Sequence, residues 1–189
     1  MHPGTMLGCM SFSSTERARL AALLLDAGPD APTLCEGWDT RDLAVHLFLR
    51  ENRPLATAGM FIPALAGQLA KASAKAGERD YASLVREWAA GPGRFNPVRF
   101  IDRQMNTVEH FVHHEDVRRG DGVARPREFS AVVNRQLYGA LKMLAPRMLA
   151  KSTAPLILHP TGMPRIVAVD ERGVSGDGEG VVSVSGEVG

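Results

Sequence analysis

Val108-Glu109-His110-Phe111-Val112-His113-His114-Glu115-Asp116 is the stretch on which the fold turns. It lies in a segment that the sequence predicts to be helical from Pro97, a good first-turn residue, to about Arg119, where Gly120-Asp121-Gly122 ends it. Two pairs with i,i+4 spacing compete within it: Glu109 with His113, and His110 with His114. Either pair sets two ligand-capable side chains on one helix face, a turn apart, close enough to chelate one ion. At about 100° per residue, Ile101, Met105, Val108 and Val112 form an apolar stripe that is expected to be buried. Glu109 and His113 flank that stripe, whereas His110 and His114 point nearly opposite, toward solvent. A ligand must face the interior of a bundle to meet ligands from other helices, so the choice falls on Glu109 and His113. Asp116 shares their side and can orient His113 or offer another oxygen.

The rest of the chain supplies further helices. Ser13-Ser14-Thr15-Glu16 reads as a capping box, Leu20, Leu23 and Leu24 recur at helical spacing, and Gly28-Pro29 stops the helix. After a Pro-containing loop ending at Trp38, Asp39 can cap a helix that runs through His46 and ends before Pro54. That helix is apolar on most sides and therefore central. Leu55 to Ala76 is Ala-rich and predicted helical with a bend at Pro63. Asp80 to Ala90 gives a short helix closed by Gly91-Pro92-Gly93, and Ser130 to Ala150 is a further amphipathic segment. The character then changes. Leu156-Ile157-Leu158, Ile166-Val167-Ala168-Val169 and Val181-Val182-Ser183-Val184 are β-prone runs separated by turn signals, as expected of hairpins.

These elements predict a mainly α chain with an N-terminal extension over 1–10 that is expected to be disordered, a helical bundle over 11–150 and a small β-rich unit over 151–189. Three short strands cannot bury both faces alone. They must pack on the bundle, pair with another chain or await a helix that a truncated C-terminus would lack. The chain has 189 residues, 44% of them hydrophobic, and a formal charge of +1. That near-neutral balance, with arginines interleaved among acids, argues against a broad nucleic-acid footprint. No apolar run approaches the roughly 20 residues of a membrane helix, and no signal-peptide pattern opens the chain, so a cytoplasmic protein is expected. Cys9 and Cys35 are far apart and form no CxxC pair, which fits free thiols.

A firm transition-metal site needs at least three ligands. His46 is the best third, because it sits within the apolar run Ala44-Val45-His46-Leu47-Phe48, where a histidine needs a hydrogen-bond partner or a metal to offset its burial. Two histidines and a carboxylate suit Zn²⁺, with Ni²⁺, Fe²⁺ or Mn²⁺ as alternatives, and leave positions open for water or substrate. Each part also has an ordinary explanation: a hydrogen-bonded core histidine at 46, a solvated face at 109–114. Trp38 and Phe111 read as core or interface residues. Cys35 reads as a small buried apolar residue or a nucleophile near the pocket.

At these residues the chain resembles the DinB/YfiT-like metalloprotein superfamily, and within it the mycothiol-dependent maleylpyruvate isomerase branch. The matching pieces are Gly37-Trp38-Asp39 leading through Asp42-Leu43 to His46-Leu47, and Glu109 followed by His113 and Asp116. The resemblance covers approximately residues 11 to 150. It implies a four-helix bundle, a metal (commonly zinc) held by His46, Glu109 and His113, and the use of a low-molecular-weight thiol. The C-terminal unit, expected to be truncated, departs from the branch, whose second domain helps to form the pocket.

The leading expectation is a metal-dependent thiol transferase or isomerase, acting on a small electrophile with a mycothiol-like thiol as cosubstrate. A metal-dependent hydrolase and a non-catalytic metal-binding or ligand-sensing bundle are the alternatives. Neither nucleic acid nor a membrane is an expected partner, and self-association as a homodimer is left open.

Overall fold

The structure, a computed structural model, describes residues 11–92, 103–170 and 180–188. The extension over 1–10, Pro97, Ile101 and most of the Gly-rich stretch before Gly180 lie outside the described residues. The chain divides into two compact units, Met1–Arg125 and Pro126–Gly189.

The first unit is helical. α1 spans Phe12–Ala27. Its cap is Ser11, whose side chain accepts from the Ser14 amide, and not the Ser13/Glu16 box expected from sequence. Glu16 is fully buried instead, and both residues serve another helix, as described below. α2 spans Thr40–Asn52 and opens on a capping box of Asp39 and Asp42, with Asp42 in the positive first turn. α3, Pro54–Thr57, is a single turn. The helix expected from Leu55 to Ala76 is broken rather than bent: two 3₁₀ turns, Ala58–Met60 and Pro63–Leu65, separate α3 from α4, Ala66–Gly77. Pro63 has no amide hydrogen to continue a helix and instead begins the second 3₁₀ turn. α5 is Tyr81–Ala89, capped by Asp80, and α6 is Arg103–Arg118.

α1 packs along α6, and α2 packs on α4 and α5. Leu20, Leu24, Leu43, Leu47, Leu84, Val85 and Trp88 are at most 1% exposed and form the centre of the core. The periodic Leu residues of α1 and the apolar run of α2 meet there, as their spacing requires. Tyr81, also in this core, donates from its hydroxyl to the Leu24 carbonyl at 2.8 Å, so burial leaves it satisfied.

The second unit joins α7, Ala131–Met148, to a three-stranded sheet. Ser130 caps α7, and α7 packs on β2, so its contacts place it with the strands, although the sequence reading grouped it with the bundle. β1 is Leu156–Pro160, β2 Ile166–Val169 and β3 Val182–Gly186, in the order β2-β1-β3. β1 and β2 form the expected antiparallel hairpin. β3 does not extend it as a second hairpin: it pairs parallel with the other edge of β1. Leu137, Ala140, Ile157, Ile166 and Ala168 supply a small core, while β3 is exposed throughout. A helix of the same unit thus packs on the sheet.

Candidate metal centre

α6 is buried on a face the apolar stripe did not predict. His110 is 2% exposed and His114 6%, while Val112, expected inside, is 43% exposed. The reason is pairwise satisfaction of polar groups. His114 Nδ1 lies 2.8 Å from Glu16 Oε2 on α1, and His110 Nδ1 lies 3.0 Å from the Ser13 carbonyl and 3.1 Å from its hydroxyl. A carbonyl only accepts, so His110 carries its proton on Nδ1. On the other side of His110, Nε2 lies 3.7 Å from Glu51 Oε1, and the ring meets Trp88 edge to face at 5.7 Å. Glu51 accepts from both Arg17 and the Trp88 indole. Burying a charged or polar side chain is tolerated when its partners come with it. A count of apolar residues does not register such partners.

Glu109, His113 and Asp116 occupy the adjacent face, turned toward α2 and the loop before it. There the structure brings the three sequence-predicted residues together. One ligand atom from each of His46, Glu109 and His113 lies within 4.8 Å of the others, a grouping that could hold a metal ion. Glu109 Oε1 is the meeting point: His46 Nε2 lies 3.2 Å from it, His113 Nε2 3.4 Å and Arg50 Nε 3.3 Å. The His46 and His113 rings meet nearly edge to face with centroids 5.2 Å apart, and Trp38 lies 5.4 Å from His46. His113 Nδ1, on the far edge of the ring, lies 2.9 Å from Asp116 Oδ2, the orienting contact expected of a carboxylate behind a ligand histidine.

The electrostatics follow from this crowding. Burial alone would raise the Glu109 carboxyl, but hydrogen bonds from His113 and His46 and the charge of Arg50 hold it well below the usual carboxylate range. Burial alone would lower His113, yet its hydrogen bonds to Asp116 and Glu109 raise it to about 9. Two imidazole nitrogens and a carboxylate oxygen converging on one point make a donor set that suits zinc and other borderline divalent ions. A cation held there would displace the ring protons that now point at Glu109.

Above these groups lies a cavity of about 570 Å³, within the range of small-molecule sites. His46, Glu109, His113, Arg50 and Cys35 line one part of it, and Trp38, Pro54, Met60 and Phe61 supply apolar wall. Phe61 is 85% exposed, an unusual position for a phenylalanine without a role at a cavity wall. Arg50 escaped the sequence reading. Its signal was its place one turn after His46 on α2, which puts both on one face. Its guanidinium also donates to Asn106 Oδ1 at 3.1 Å, which steadies it over Glu109.

Cys35 stands at the edge of this site, its Sγ 3.3 Å from Asp116 Oδ2. Burial, followed by the negative charge and hydrogen bond of Asp116, pushes its thiol up to about 11. No helix among the described residues is long and apolar enough to cross a membrane. Comparison with protein-family models, with curated proteins and with solved structures finds no match.

Proposed function

We propose that the first unit is a DinB/YfiT-like metal-binding bundle, and that the chain is a cytoplasmic enzyme that uses a mycothiol-like thiol to transfer to, or isomerise, a small electrophile. The observation that carries this reading is the convergence of His46, Glu109 and His113 on one point in the wall of a cavity large enough for a small ligand. The order Gly37-Trp38-Asp39, His46, then Glu109, His113 and Asp116 supports the family assignment. A bound divalent ion, zinc by this reading, would supply Lewis-acid stabilisation of a thiolate at neutral pH.

The chain's own residues have distinct tasks. His46, Glu109 and His113 hold the ion. Asp116 accepts from His113 Nδ1 and so leaves Nε2 as the ring nitrogen that would meet the ion once its proton is displaced. Arg50 balances the Glu109 charge and presents a cation to the cavity, where an anionic electrophile would be drawn. Trp38 covers His46 and, with Met60 and Phe61, limits water around the reacting groups. Cys35 is a poor internal nucleophile, because its thiol is held protonated beside a carboxylate. A nucleophile brought in from outside fits that arrangement.

The test is metal content together with turnover. Purified wild type should carry stoichiometric metal, and His46→Ala, Glu109→Ala and His113→Ala should each lose it. With metal present, consumption of chlorodinitrobenzene or a maleyl compound should require added thiol, assayed with mycothiol and glutathione. Equal metal content in all four proteins overturns the site. Turnover of an ester or amide without thiol overturns the thiol chemistry in favour of a hydrolase.

A further inference from the structure

The proposed centre uses one edge of His113. The other edge faces a different donor set. Nδ1 lies 2.9 Å from Asp116 Oδ2, and Cys35 Sγ lies 3.3 Å from that same oxygen. One ligand atom from each of Cys35, His113 and Asp116 lies within 4.8 Å of the others, and all three residues are half-buried. Cys35 also lines the cavity, which gives an ion a path to the sulfur.

The backbone sets the position of that sulfur. The Leu34 amide donates to the Asp116 carbonyl at 3.0 Å, which joins the loop to α6 beside the cluster. Thr33 Oγ1 accepts from the Cys35 amide at 3.1 Å and donates to the Trp38 carbonyl at 2.9 Å. Further along, Gly120 lies so close to the loop that a Cβ there would sit 2.0 Å from the Pro32 carbonyl oxygen. Cys35 is therefore held against Asp116 by contacts on both of its sides.

We propose that Cys35, Asp116 and His113 form a second cation site, for a soft divalent ion such as cadmium, which shares His113 with the proposed centre and competes with it. Thiolate donors favour soft ions, whereas imidazole with carboxylate also serves harder ones such as manganese. On binding, the Cys35 S–H bond breaks, its electron pair forms the sulfur–metal bond, and the proton leaves through the cavity to solvent. Nothing is oxidised or reduced. Nδ1 must also offer a lone pair, so its proton leaves to solvent as well, and the ring keeps the proton on Nε2, where Glu109 Oε1 at 3.4 Å accepts it. A neutral ring protonated on Nε2 cannot ligate there. The two sites therefore exclude each other, and the softness of the ion selects between them.

The experiment uses the full chain stripped with a chelator and titrated separately with Cd²⁺, followed by thiolate-to-cadmium absorption, and with Mn²⁺, followed by calorimetry. Cys9→Ser is included because Cys9 carries the other thiol. Wild type and Cys9→Ser should both develop the thiolate band, and saturating Cd²⁺ should weaken Mn²⁺ binding about tenfold or more, as competition for one imidazole requires. Cys35→Ser should lose the band and keep Mn²⁺ binding; Asp116→Asn should weaken the band. His46→Ala should keep the band and lose Mn²⁺ binding. A band absent from wild type, surviving in Cys35→Ser or lost in His46→Ala overturns the proposal. Mn²⁺ binding that is insensitive to His46→Ala overturns the proposed centre instead, and leaves the thiolate band as separate support for this site.

Discussion

His114 Nδ1 lies 2.8 Å from Glu16 Oε2, and both residues are buried where α1 runs along α6. This pair shows that the face of α6 next to the proposed centre is structural. Each of the two groups is the other's answer to desolvation.

Breaking that pair should damage the fold and spare the metal. His114→Ala leaves the Glu16 carboxylate, 0% exposed, without its imidazole partner. The expected loss is about 3 kcal/mol of stability by urea denaturation. Metal content per folded molecule should match wild type. Metal lost from His114→Ala but retained in His113→Ala would mean that the other face of α6 holds the ion.

Acid should unfold the protein partly through Glu51. Burial acts to raise its pKa, but the nearby His110 imidazole and the hydrogen bonds and charge of Arg17 outweigh it, so the folded value lies below the ordinary 4.5. A depressed folded value means that the proton binds the unfolded chain more tightly. The stabilisation is therefore complete above 4.5 and is lost as pH falls toward the folded value. Glu51→Gln should lower the melting temperature at neutral pH and flatten its decline below pH about 5. A decline as steep as that of wild type would assign the acid limb to other groups.

Metal should act as a brace between α2 and α6. His46 comes from one helix and Glu109 and His113 from the other, and these two helices are not among the closely packed pairs of the described residues. An ion at about 100 times its dissociation constant should add about 2.7 kcal/mol, seen as a rise in melting temperature. The rise should vanish in His46→Ala.

Gly120→Ala should disturb the loop that carries Cys35 and Trp38. The added methyl would meet the Pro32 carbonyl oxygen at 2.0 Å and the Thr33 Cα at 3.0 Å, both backbone atoms that cannot rotate away. About 1–3 kcal/mol of stability should be lost. Tryptophan fluorescence should change as Trp38 moves relative to His46. Unchanged stability and emission would mean that the loop yields freely.

Much of the fold could be read directly from the residues. Asp39, Asp80 and Ser130 each mark a helix start by a side chain that accepts from the backbone nearby, and such local chemistry needs no knowledge of the tertiary fold. The grouping of His46, Glu109 and His113 was legible from spacing and from resemblance, although the stripe argument behind part of it did not hold. Apolar periodicity placed Val112 inside and His110 and His114 outside, the reverse of what is found. Burial of those histidines depends on Ser13 and Glu16, whose distance in sequence from α6 hides the pairing. The same long-range demand explains the misread cap, because Ser13 and Glu16 have the residue types of a capping box and are used by another helix. Arg50 and the Cys35–Asp116 contact also depend on which segments become neighbours. The parallel pairing of β3 could not be read from β-prone runs and turn signals, which are silent on strand direction.

That parallel pairing has a kinetic consequence. β1 and β2 are joined by a short connection, Thr161 to Arg165, and can zip from it, with little loop entropy to overcome. β3 must return to the far edge of β1, with Leu156 opposite Val182 and Pro160 opposite Gly186, across a much longer closed loop. Contacts of such sequence separation form late. The hairpin is therefore the seed of the second unit and β3 its last strand to arrive, so refolding watched strand by strand by pulsed hydrogen exchange should show β1–β2 amides protected before those of β1–β3.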